Sequence, residues 1–212
     1  MKLDVRGTTL TLALLAATLP ALQGCFPVVA AGAATGAFMA ADRRSSGAYV
    51  EDEGLEWKVG NRVKERFGDA AHVNVTAFNR VVLLTGEISD ESSRAALDQI
   101  AAGVPNVRGV TNEVQVAGVS SLTSRGNDAV VTSKVKARFV DANTFGANHV
   151  KVVTEAGTVF LMGLVTRGEA DNATEIARTT SGVRKVVRVF EYITPEEAKN
   201  LQLQGKSSEG RS

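Results

Sequence analysis

The chain of 212 residues holds one cysteine, two histidines, one tryptophan and four prolines, and aromatic residues make up only 5% of it. A lone thiol, Cys25, can close no disulfide within the chain, so any folded part must be held by packed cores. His72 and His149 stand far apart, and neither has a Cys or His partner at the short spacings of zinc sites. Gly-rich phosphate loops, nucleophile elbows and kinase signatures are missing. So is any excess of charge: 24 basic against 23 acidic residues give a formal net charge of +1. That balance excludes a general nucleic-acid-binding face, which needs a surplus of cations. No apolar run reaches the roughly 20 residues that a spanning helix requires. Without a convergent set of acid, base, nucleophile or ligands, the chain reads as a non-enzyme that needs no cofactor and no metal.

What is present begins at the N-terminus. Lys2 and Arg6 precede a short apolar stretch, residues 8–19, and then "LPALQGC". Basic residues, a short apolar segment and small residues in that order form a secretory signal peptide, here residues 1–24. Leu22, Gly24 and Cys25 resemble the bacterial lipobox. That resemblance implies that Cys25 becomes the mature N-terminus and carries lipid, palmitate included, on its thiol and amine. One acyl chain binds a bilayer only marginally, whereas several anchor it stably. Phe26 rather than Asp follows the cysteine, which by the sorting rule of such lipoproteins implies the outer membrane.

Beyond residue 54 the chain repeats itself. "NRVKERF" (61–67) matches "SKVKARF" (133–139) at an offset of 72, "VVLLTGEI" matches "TVFLMGLV" at 77, and "GVPNVRGVTNEV" matches "GVRKVVRVFEYI" at 79. This alignment puts five extra residues of the second copy near "DANTFGANH". Each copy reads as an amphipathic helix, a hairpin, a second helix and a last strand. Leu55, Val59, Val63 and Phe67 make the apolar stripe of the first copy, and Val131, Val135 and Phe139 that of the second. Phe78-Asn79-Arg80 and Glu155-Ala156-Gly157 lie at the hairpin turns. Gly86 and Gly163 are read as ending the second strand of each copy, at a backbone bend or a close approach. Ser89 or Asp90 caps one second helix and Thr166 the other, and Gly103 and Gly182 are read as lying just past their ends. Glu87, Asp90 and Glu91 gather at a helix start, where they complement the helix dipole.

These paired units, with "V.V....G.V.L.G.V" and then "GV..V", resemble the BON domain family. The longer matches "NDAVVTSKVKARF" and "VKVVTEAGTVFLMGLVT" are similar to its two-domain outer-membrane lipoproteins. The expected fold class is therefore α+β: two tandem α-β-β-α-β domains, each a small three-stranded sheet packed by two helices. The expected layout is a signal peptide (1–24), a lipidated flexible tether (25–54), a first domain (55–117), a linker (118–126), a second domain (127–194) and a polar, fraying tail (195–212). The resemblance implies a lipid-anchored protein on the periplasmic face of the outer membrane, which binds anionic phospholipid and supports envelope integrity. Its protein partners would be outer-membrane assembly factors or cell-division-site components. The alternative is a periplasmic, stress-protective, chaperone-like protein.

The copies differ in charge, net −1 for residues 56–116 and net +2 for residues 127–194. The resemblance to the two-domain lipoproteins implies binding of anionic phospholipid through the first helix of the second domain. Here that helix offers Lys134, Lys136 and Arg138 as candidate lipid contacts, with Val130 where a relative has an aromatic. Arg184, Lys185 and Arg188 add charge near the last strand. Trp57 falls off the stripe of its own helix. It is a candidate partner contact, although packing under the preceding segment or the other domain is the preferred reading.

Overall fold

The structure is a computed structural model that describes residues 42–209. Cys25, the signal peptide and most of the tether lie outside the described residues. The first repeat runs α1 (Ser46–Phe67), β1 (His72–Phe78), β2 (Val81–Ile88), α2 (Glu91–Ala102), β3 (Gly109–Asn112) and β4 (Gln115–Val116). The second runs α3 (Leu122–Ala142), β5 (Val150–Glu155), β6 (Thr158–Val165), α4 (Arg167–Arg178) and β7 (Lys185–Tyr192), followed by α5 (Pro195–Glu209). The class is α+β, as the sequence implied.

In each sheet the hairpin is antiparallel and the last strand returns parallel to the central one, after a helical crossover. The first sheet has four strands rather than the expected three. The extra piece is a broken strand: Leu84 faces Asn112 and Glu87 faces Gln115, so β3 and β4 keep one register against β2. The break comes at Asn112, whose side-chain oxygen accepts the Val114 N–H at 3.2 Å and so competes with the ladder.

Strand alternation gives each sheet two apolar faces. Val82, Leu84 and Ile88 turn toward α1 and α2, where they meet Leu55, Val59, Val63 and Leu97. Val159, Leu161 and Val165 do the same against Val135, Phe139 and Ala173 in the second repeat. The opposite faces pack on each other. Phe78 and Leu83 of the first sheet join Phe160, Met162 and Leu164 of the second in a shared core between the domains. The unbroken burial of β2 and β6 follows, because both of their faces are covered.

The repeat is more regular than its sequence alignment suggests. Asp52 accepts the N–H groups of Asn79 and Arg80 at the first hairpin turn, both at 2.7 Å. Asp128 accepts those of Ala156 and Gly157 at the second, at 2.9 and 2.8 Å. Behind each aspartate the buried stripe runs three, then four, then four residues on: Leu55, Val59, Val63 and Val131, Val135, Phe139. The helices therefore correspond at an offset of 76, not 72. The last strands also correspond at 76, since Val81 faces Gly109 and Thr158 faces Lys185. An apolar stripe of period four looks the same after a shift of one turn, so the stripe alone could not fix the register. The five-residue insertion disappears, and one residue separates the two copies at that point.

The expected boundaries shift as well. α1 begins at Ser46, with Ser45 as its cap, so residues 46–54 belong to the helix rather than to a tether. Ahead of it two arginines fasten the chain to both domains. Arg43 is buried, donating to the Leu164 carbonyl at 2.8 Å and pairing with both carboxylate oxygens of Glu169. Arg44 pairs with Asp42 and Asp52 and lies 4.2 Å over the Phe78 ring. α3 starts at Leu122, within the expected linker, capped by Ser121. The tail is helical where it was expected to fray: Ala198 is buried and Leu201 packs on the core between the domains. Gly103 has an ordinary φ of −76°, and Gly182, with φ 98°, lies beyond the end of α4 and corresponds to Asn106.

Candidate functional site

The candidate lipid contacts do not share one face of α3. Successive residues turn by about 100°, which puts Val130 and Lys134 side by side and Lys136 roughly 200° from Lys134. Val130 is 53% exposed. Together with Lys134 and Arg184 it lines an open cleft of about 460 Å³ floored by Ala156 and Gly157. The Arg184 guanidinium reaches into this corner and donates to the Ala156 carbonyl. An apolar edge beside two cations is therefore displayed at one end of the second domain.

Lys136 points elsewhere, into a mainly apolar cleft of about 510 Å³ shared with Tyr49, Phe78, Val140 and Lys151. Arg138 is spent within the fold. It donates to the Ile176 carbonyl and to Thr180 Oγ1, both at 2.8 Å, and so ties α3 to the end of α4. The three cations read from the sequence as one group are thus separated, and Arg184 takes the place beside Lys134. The helical spacing held a sign of this for Lys136 alone, because residues two apart do not share a helix face, whereas Lys134 and Arg138, four apart, do.

Trp57 is 68% exposed on α1. Among the described residues neither the segment from residue 42 onward nor the second domain covers it, which corrects the packing reading there and leaves Trp57 as a candidate partner contact. Val50 is exposed on the same side, seven residues earlier.

The two histidines hold equivalent places with different surroundings. His149 is buried and packs against Gly146, where a Cβ would come within 2.6 Å of its ring. Burial first, and then the nearby Arg43 charge, push its pKa below the ordinary value, against the pull of Glu169. Burial alone would raise the Glu169 carboxyl, but hydrogen bonds from Arg43 and Thr166 and the Arg43 charge hold it at about 2. His72, at the start of β1, lies 3.0 Å from Glu87 on β2. No metal-ligand spacing was legible around it. Folding nonetheless brings His72, Glu87 and Glu155 together, with one possible ligand atom from each within 4.8 Å of the others.

Two stretches of the chain, residues 52–118 and 127–194, match the family described as the BON domain. Over 175 residues the chain is 38% identical to the outer membrane lipoprotein DolP of Haemophilus influenzae, covering 81% of this chain and 90% of that one. It is 34% identical over 154 residues to a 21 kDa hemolysin of Actinobacillus pleuropneumoniae, covering 72% and 79%. It is also 28% identical over 144 residues to the osmotically inducible protein Y of Escherichia coli, covering 66% and 72%.

Proposed function

The chain belongs to the BON domain family, and we propose that it is an outer-membrane-anchored lipoprotein, acylated at Cys25, whose second domain binds anionic phospholipid. It works as a non-enzymatic scaffold that supports envelope integrity from the periplasmic face. The observation that carries this reading is the corner formed by exposed Val130, Lys134 and Arg184, taken with the likeness to an outer membrane lipoprotein over most of both chains. Each cation held near an anionic surface contributes about 1 kcal/mol, so the two together give weak, salt-sensitive binding. Val130 adds a modest apolar contact where an aromatic would add more. The acyl anchor supplies most of the residence on the membrane, and the cationic corner sets which lipids the domain meets.

Assembly factors or cell-division-site components are proposed to dock on exposed Trp57 of the first domain. A second reading, a periplasmic stress-protective and chaperone-like protein, is favoured by the match to the osmotically inducible relative. Fractionation of cells carrying Cys25→Ser separates the two. The lipoprotein reading expects the variant to leave the outer-membrane fraction, and unchanged fractionation would reject it.

A further inference from the structure

The face where the two sheets meet is apolar at its centre and carboxylate-rich at one end. His72 and Asn74 on β1 and Thr85 and Glu87 on β2 all point to this face, as directly opposed pairs. Glu155, at the end of β5 in the second domain, reaches the same spot. Its Oε2 accepts from Asn74 at 2.7 Å and from Thr85 at 3.4 Å. Glu87 Oε2 lies 3.0 Å from His72 Nδ1 and accepts the Ser120 N–H of the linker at 3.2 Å.

The charges here do not balance. Glu87 is 5% exposed and Glu155 is 7% exposed. Among the described residues, Glu155 has no Lys, Arg or His nitrogen within ion-pair distance, and Glu87 has only His72. Two buried carboxylates against one imidazole leave a net negative charge even if the imidazole is protonated. A buried unpaired carboxylate is costly unless a proton or a cation compensates it. The donors also suit a cation. One imidazole nitrogen and two carboxylates, with ligand atoms within 4.8 Å of one another, are a first-row transition-metal set that leaves a position for water. Asn74, Thr85 and the Ser120 amide already donate to the carboxylates, as outer partners of metal ligands do.

We propose that His72, Glu87 and Glu155 form a binding site for a divalent transition cation, with Zn²⁺ as the probe, that fastens the first BON domain to the second. Two ligands come from one domain and the third from the other, so binding resists separation of the two sheets. The site was hidden in the sequence because its ligands are separated by 15 and 68 residues and join only when the domains pack.

The test is calorimetric titration of the full chain, freed of metal by chelator and held in detergent, with Zn²⁺ and separately with Mg²⁺. The expected result is one saturable Zn²⁺ equivalent and much weaker Mg²⁺ binding. At a hundredfold excess over Kd, Tm should rise by roughly 5–10 °C. Glu155→Gln should weaken Zn²⁺ binding by about tenfold or more. It should leave the metal-free Tm unchanged or higher, because an amide oxygen can still accept from Asn74 and Thr85. His72→Asn should also weaken binding. Absence of saturable Zn²⁺ binding would overturn the proposal in favour of a carboxylate pair sharing a proton. Zn²⁺ binding that survives both substitutions, or Mg²⁺ binding of equal strength, would overturn it as well.

Discussion

Replacing Asp128 with alanine tests how the repeat is built. Its carboxylate accepts two backbone N–H groups at the β5–β6 turn, from Ala156 at 2.9 Å and from Gly157 at 2.8 Å. Hydrogen bonds to a charged group contribute about 1.5–3 kcal/mol each, and a buried donor left unpaired costs about 1–3 kcal/mol. Gly157 is buried and would be stranded, whereas Ala156 is half-buried and can turn to water. The expected loss is therefore about 2–4 kcal/mol, or a fall in Tm of roughly 5–15 °C for a folded region of this size. Asp128→Asn keeps one acceptor oxygen and should lose about half as much. Asp52→Ala should cost more than Asp128→Ala, because Arg44, whose side chain is only 6% exposed, also loses a partner at 2.8 Å. Thermal and urea denaturation give the magnitudes, and amide exchange at Gly157 reports the turn directly. A loss below about 0.5 kcal/mol for Asp128→Ala, or an unchanged Gly157 amide, would refute the assignment of this aspartate as the clasp between helix and hairpin.

At the same turn Ala156 has φ 47°, a left-handed conformation that costs an ordinary L-residue about 1–2 kcal/mol; Ala156→Gly should stabilise the protein by up to about 1 kcal/mol, measured by urea denaturation. Acid should destabilise the protein in two steps. Buried His149 has a lowered pKa, so the unfolded chain takes up its proton first, and stability falls as pH drops below about 6.5. Glu169, held at about 2 against an ordinary 4.5, adds a further loss between those values. Melting His149→Gln across this range should remove the first step alone, and an unaltered first step would contradict its assignment to His149.

Much of the fold was open to sequence reading because period and turn chemistry repeat. The apolar stripe of Val131, Val135 and Phe139, spaced by four, the cap at Thr166 and the glycines of the central strands each point to one local structure. Gly86 and Gly163 do mark a close approach, since a Cβ there would meet the backbone oxygen of His72 at 2.0 Å and of His149 at 2.4 Å. What escaped depends on long-range packing. The true repeat offset is fixed by Asp52 and Asp128 reaching a turn 27 to 29 residues away, and nothing local distinguishes those aspartates from surface ones. Arg43 and Arg44 resemble a solvated basic pair until the second domain supplies Glu169 and the Leu164 carbonyl. On α3, charge counting found the cations, but only the neighbouring elements decide that Arg138 holds α4 while Lys134 joins Arg184.

A lipid-binding corner on the second domain is probed without interference from the anchor by vesicle co-sedimentation of the chain from residue 25 onward carrying Cys25→Ser, so that no acyl chain contributes. Weak binding to anionic vesicles is expected, fading with salt because exposed charges are screened over about 8 Å at physiological ionic strength, with no binding to zwitterionic ones. Lys134→Gln with Arg184→Gln should abolish it, Val130→Trp should strengthen it, and Lys136→Gln should change it little. Equal binding to both vesicle types, or a Lys134→Gln, Arg184→Gln protein that sediments like the parent, would contradict a lipid-binding role for this corner.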